Sequence, residues 1–195
     1  MNHTKIQLSD KEIVEKYLAG DVDSFELLIK KYEEGLYRYC YRFTNDGEEA
    51  QDIAQQTFIK LFENIEKVDL DSPLKAWIYT VATNLCRSRF KKKKNLNFSE
   101  IEGDEKENEG SSANYFEDAS IDIPKEVSQH ELKEKVSFAL TKIPKKYASV
   151  ISLYYIEEFS YEEIADMLEI PLNTVRTHLK RAKDKIVEYV QEYNN

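Results

Sequence analysis

Tyr161 to Ile186 reads YEEIADMLEIPLNTVRTHLKRAKDKI: two short helical patterns are separated by one proline, and the second is rich in Arg and Lys. Just ahead of it, Ser160 and Glu163 stand three residues apart as in a capping box. In that arrangement each side chain satisfies a backbone N–H that the first turn of a helix leaves without a partner. Ile164, Ala165 and Leu168 then supply one apolar face, and Glu169, Ile170 and Pro171 make a turn. Val175, Leu179, Ala182 and Ile186 recur at helical spacing beyond it.

A short helix, a tight turn and a longer helix form the outline of a helix-turn-helix. The polar face of the second helix carries Arg176, Lys180 and Lys183 in one stripe, with Thr177, His178 and Arg181 beside it. From Leu172 to Ile186 there are five basic residues against one acid, Asp184. Such a helix sets its cations on phosphates while its first turns reach base edges in a groove. An ordinary helical hairpin with a solvated basic face has the same periodicity. The small Ala165, the capping box and the proline in the turn favour DNA.

The whole chain opposes that reading, because its formal net charge is −9 over 195 residues. The charge is unevenly placed. Between Asn95 and Glu126 there are ten acidic and two basic residues, a balance of −8, which leaves about −1 for everything else. This stretch lacks periodicity and is poor in large apolar residues, the composition of a flexible linker. The chain is thereby expected to divide into residues 1–94, an acidic linker 95–126 and residues 127–195. Only 5 Gly and 4 Pro interrupt it, and no alternating strand pattern appears, so an all-α fold of two small helical domains is expected. No apolar run reaches the roughly 20 residues of a bilayer span. With no signal pattern at the start, a cytoplasmic location is expected.

In the first block, Phe25, Leu28, Ile29, Tyr32, Leu36, Tyr39, Cys40 and Phe43 fall on one helical stripe. Ala50, Ile53, Ala54, Phe58, Leu61, Phe62 and Ile65 fall on a second. Ser72 and Pro73 stop the chain and start a third helix. That helix opens apolar and ends in Arg87, Arg89 and Lys91 to Lys94, six positive charges in nine residues. Trp77, Tyr79 and Asn84 lie on the same helix. Cations interleaved with aromatics and an amide suit unpaired nucleic acid, where bases stack and are read on their edges; a solubilising tail, with Trp77 as a core anchor, is the plainer alternative. In the second block Leu132, Val136, Leu140 and Ile143 form a stripe ended by Pro144, followed by Val150, Ile151 and Tyr154. Cys40 and Cys86 are the only cysteines and form no C-x-x-C pair, and three scattered histidines make no zinc framework. No nucleophile–base pair or glycine-rich phosphate loop is present, so neither catalysis nor a cofactor is expected.

Three stretches together resemble one family, the bacterial extracytoplasmic-function sigma factors. EEAQDIAQQTFIKLF resembles the helix of region two, SPLKAWIYTVATNLCRSRFKKK the helix and loop that follow it, and IPKKYASVISLYYIEEFSYEEIADMLEIPLNTVRTHLKRAKDKI resembles region four. The resemblance implies a promoter-specificity subunit of RNA polymerase. Asp52, Gln55 and Gln56 would dock on the clamp of the largest polymerase subunit, and region four on the flap of the second largest. Asn84, with Arg87, Arg89 and Lys91, would read and open the minus-ten element. Arg176, Thr177, His178, Lys180 and Arg181 would read the minus-thirty-five element. An anti-sigma factor, usually membrane-anchored, would be the regulatory partner. Two positions depart from the family pattern: Ser88 replaces a common Asp, and Ala148 a common Arg. A helix-turn-helix repressor binding paired half-sites as a dimer, and a helical adaptor meeting an acidic protein, are the rival readings.

Overall fold

The computed structural model describes residues 8–69, 72–96 and 129–192. Eight α-helices account for most of them: α1 Asp10–Leu18, α2 Ser24–Thr44, α3 Gly47–Asn64, α4 Leu74–Leu96, α5 Gln129–Lys142, α6 Lys145–Tyr155, α7 Tyr161–Leu168 and α8 Leu172–Glu192. A single 3-10 turn, Ile65–Lys67, follows α3, and no strand occurs among the described residues. The acidic segment assigned above to residues 95–126 lies, beyond Leu96, outside the described residues.

The helix boundaries follow local chemistry. Capping boxes open both α1, at Ser9 and Glu12, and α7, at Ser160 and Glu163. The Asp46 carboxylate accepts from the Glu49 N–H at 3.1 Å to start α3. Asn45, at φ 55°, ends α2 in the left-handed conformation that asparagine tolerates better than most residues. α4 begins directly after Pro73, and Pro144 caps α6.

Two cores result. In the N-terminal half, Val14, Leu28, Leu36, Tyr39, Ile53, Leu61 and Ile78 are fully enclosed where α1, α3 and α4 pack on α2. In the C-terminal half, Val150, Leu153, Ile164, Val175 and Ala182 are enclosed where α6 and α7 pack on α8. Leu132 lies outside the residues whose side chains are described; among the others the expected stripes hold except at Phe62, which is 53% exposed. It sits one residue past Leu61, about 100° around the helix, and its ring rests edge-on to Phe25 at 5.4 Å instead of entering the core. Trp77 is half-buried and packs against the core.

Polar groups set the register of α4 on α2. The Thr83 hydroxyl donates to the Tyr79 carbonyl at 2.7 Å and pairs with the Tyr39 hydroxyl at 2.7 Å, all within the core. Gly35 lies inside α2, where glycine costs about 1 kcal/mol relative to alanine. Its absent side chain has a use: a Cβ there would stand 3.0 Å from the Tyr79 hydroxyl and 3.9 Å from the Glu157 carboxylate. Those two groups meet because the halves touch, α2 against α5 and α6, and α4 against α7. Among the described residues no helix is long and apolar enough to cross a membrane.

Replacing Thr83 by Val leaves the Tyr39 hydroxyl buried without its partner and is expected to destabilise the fold by about 1–3 kcal/mol. A lowered midpoint of chemical denaturation, with helical content retained in water, is the expected reading. Ser160→Ala removes the cap of α7 and is expected to cost about 1 kcal/mol. Amide hydrogen exchange should show it as faster exchange confined to the first turn of α7.

Candidate nucleic-acid interface

The α7–α8 pair is built to hold one helix face outward. The Ser160 Oγ accepts from the Glu163 N–H at 3.2 Å, while Glu163 Oε2 accepts from the Ser160 N–H at 2.8 Å. α7 ends at Glu169, left-handed at φ 53°, and the Ile170 N–H returns to the Ala165 carbonyl at 3.1 Å. Pro171 then opens α8 with its carbonyl accepting from Thr174 at 2.8 Å. This closes the turn read from Glu169 to Pro171. Val175, Leu179, Ala182, Ile186 and Val190 turn inward, so Asn173, Arg176, Thr177 and Lys180 must lie outward. Asn173 orders this stripe: its carbonyl accepts from Thr177 Oγ1 at 2.9 Å, and its side-chain oxygen from Arg176 at 3.3 Å.

The five residues assigned to the upstream element therefore fall into two sets. Arg176, Thr177 and Lys180 are exposed on the outward stripe. His178 and Arg181 are half-buried on the flank that faces α6. There the His178 ring meets Tyr147 edge-on at 5.3 Å, and Arg181 donates to the Tyr147 hydroxyl at 3.4 Å. Tyr147 thus positions the basic helix, a role that its place in the apolar YASV stretch did not signal. Lys183, farther along, stands over the Tyr155 ring at 5.2 Å.

On α4, Asn84 and Lys91 are exposed and Arg89 is half-buried. Ser88, at the position where an Asp was expected, donates to the Asn84 carbonyl at 2.8 Å and leaves the Asn84 amide clear. Arg87 differs from its neighbours. Its guanidinium donates to the Leu168 carbonyl at 3.1 Å, at the negative end of α7 where a cation is favoured. On α3, Asp52 and Gln55 are exposed and Gln56 half-buried, on the side away from the enclosed Ile53 and Leu61. Ile59, 56% exposed, continues that outward stripe by one turn. Cys40 and Cys86 meet in the α2–α4 core. A hydrogen bond to Cys40, together with burial, drives the Cys86 pKa far up, which keeps it a thiol and chemically quiet.

Residues 28–96 match the family described as Sigma-70 region 2, and residues 133–186 the one described as Sigma-70, region 4. The chain is 31% identical over 187 residues to the ECF RNA polymerase sigma factor SigW of Bacillus subtilis, spanning 96% of this chain and 100% of that one. It is 28% identical over 191 residues to the RNA polymerase sigma-H factor of Pseudomonas aeruginosa, spanning 95% of each. Among solved structures the fold is similar to the sigma factor RpoE in its co-crystal with the anti-sigma factor NepR from Bartonella quintana, with a TM-score of 0.63 at 20% identity over 86% of this chain and 96% of that one. CnrH, in complex with the cytosolic domain of CnrY, gives 0.62 at 20% identity over 94% and 97%. With both sigma regions in order along one helical chain, and a relative matched end to end, the protein belongs to the extracytoplasmic-function sigma factors, which direct RNA polymerase to promoters.

Proposed function

We propose that this sigma factor brings core polymerase to stress-type promoters through two separate DNA grips, with no chemistry of its own. The observation that carries the reading is the outward stripe Arg176, Thr177 and Lys180 on a capped, buttressed helix, in a chain that also exposes Asn84 above a run of cations. α8 enters the major groove of the minus-thirty-five element, with His178 and Arg181 steadied on Tyr147 at the edge of the contact. Asn84 reads a flipped-out base of the minus-ten element, and Arg87, Arg89 and Lys91 follow the opened strand. Asp52, Gln55 and Gln56 meet the clamp of the largest subunit, and the C-terminal helices meet the flap of the second largest. Each grip is small, so polymerase fixes their separation and raises the effective concentration of the second contact. A membrane-anchored anti-sigma factor is the regulator this reading calls for. RpoE, whose fold is similar, was solved with the anti-sigma factor NepR, and CnrH with the cytosolic domain of CnrY.

Transcription of fragmented host genomic DNA by purified core polymerase, with and without this protein, tests the reading directly. Discrete new start sites are expected only when both are present. Tight binding of the free protein to palindromic duplexes, with no stimulation of core, would instead identify a conventional dimeric repressor. At a mapped promoter, Arg176→Ala is expected to lower use of the upstream element by about tenfold, the loss of one base-edge contact of about 1–3 kcal/mol. Lys180→Ala should weaken binding evenly across sequences and shrink the slope of log affinity against log salt by about 0.9. Asn84→Ala should leave closed-complex binding intact while reducing permanganate reactivity of the opened strand.

A further inference from the structure

The two halves meet through groups that the promoter reading leaves without a task. Glu157, in the turn between α6 and α7, is only 7% exposed. Its Oε2 accepts from the Tyr79 hydroxyl at 2.6 Å and lies 3.3 Å from the Lys75 ammonium, which also donates to the Glu157 carbonyl at 2.6 Å. Phe159 stands edge-on to Tyr79 at 5.5 Å, and Lys75 lies over the Phe159 ring at 5.1 Å. Between Glu157 and Phe159, Glu158 holds the left-handed φ of 60°, which disfavours residues with a Cβ. Gly35 provides the notch for this cluster on α2. Lys145 donates to the Arg42 carbonyl at 3.0 Å as a further tie. Together with Arg87 on Leu168, these contacts hold α4 to the C-terminal half on both sides of Asn84.

That arrangement is too short for the promoter. On the two-grip reading, from which this inference starts, the elements are about 25 base pairs apart, or about 85 Å of duplex at 3.4 Å per pair. In the closed chain the path from Asn84 along α4 to Arg87, across to the Leu168 carbonyl, on to Leu172 and along α8 to Lys180 is at most about 45 Å, taking helical rise and the full reach of extended chain. Both grips therefore cannot hold their elements while the halves are together.

We propose that the Glu157–Tyr79–Lys75 cluster, seated in the Gly35 notch, is an intramolecular latch that keeps the free sigma factor closed and must release before both promoter elements are engaged. The closed state carries its own counterweight. Arg42 is 8% exposed, and its Nη1 has no hydrogen-bond partner. Burial lowers its pKa, with Glu157 nearby acting against the shift. A buried donor left unsatisfied opposes closure, so the latch holds without being permanent. A chain that spends most of its time closed has its apparent affinity for a two-site target reduced by the open fraction.

Two full-length variants test the latch. Glu157→Lys sets a cation beside Lys75 and Arg42. Gly35→Ala pushes the Tyr79 hydroxyl off the carboxylate while improving the helix propensity of α2. Small-angle scattering should show a compact wild type and a larger radius of gyration for both variants. The core polymerase concentration giving half-maximal promoter transcription should fall by about fivefold. Gly35→Ala should open the chain with no loss of helical signal or melting temperature, which separates release from damage. A wild type that is already extended, a folded Gly35→Ala that stays compact, or an opened variant that still needs wild-type concentrations of core would each overturn the latch. If the wild type drives no core-dependent transcription at all, the promoter reading falls, and scattering still decides the latch.

Discussion

A carboxylate as enclosed as Glu157 must keep its donors, and that requirement organises the molecule beyond its own half. One donor is Tyr79, whose pKa burial, and then the bond to Glu157, drive far up, so the phenol stays a neutral donor. Tyr79 also accepts from Thr83 through its carbonyl, and its ring meets Tyr39 edge-on at 5.3 Å. Tyr39 closes the circuit through its hydroxyl on Thr83. The same polar thread thus sets α4 on α2 and fastens the second half to both. Side chains linked in this way are coupled, so disturbance at one end is felt along the line.

Local order was legible because local physics dictates it. The S-x-x-E pair at Ser160 fixed the start of α7, and the apolar recurrence from Val175 to Ile186 fixed which side of α8 turns inward. The same capping signature at Ser9 opens α1, but that helix has only nine residues and two buried ones, too weak a stripe to stand out. Phe62 shows the limit of periodicity: a residue at the margin of an apolar stripe goes in or out according to the neighbour it meets. Arg87 shows a harder limit. Its partner is 81 residues away, and helical spacing says nothing about what stands opposite a helix face. Glu157 is harder still, since an acid in a turn is ordinarily solvated, and only the approach of Lys75 and Tyr79 explains its burial. Gly35 carried a signal in principle, an unfavourable residue inside a long helix, whose reason is visible only once Tyr79 and Glu157 are in place.

The acidity of the whole chain and the basicity of α8 are reconciled by where the charges fall in the sequence. Residues 95–126 hold −8 of the −9, and they fall between the two halves in sequence. Screening at physiological salt acts over roughly 8 Å, so an exposed cation is governed by the charges nearest to it. On the promoter reading, the exposed Arg176 and Lys180 keep a local attraction for phosphate, while the net charge of −9 acts against indiscriminate binding by the chain as a whole.

On the two-grip reading, the elements that would hold DNA and those that join the halves are not independent. α4 carries Asn84, yet Lys75, Tyr79 and Arg87 on the same helix tie it to the C-terminal half. α3 stands apart: its extensive packing is on α2 and α4, and Asp52 and Gln55 face outward whether or not the halves are joined. On the two-grip reading this orders the events. Polymerase meets α3 on a closed chain first, because that face needs no rearrangement. Promoter DNA then competes for Arg87, a residue wanted both by the opened strand and by the end of α7. Release of the C-terminal half is therefore linked to capture of the minus-ten element, and the separation required by duplex length is reached only after core polymerase is already bound.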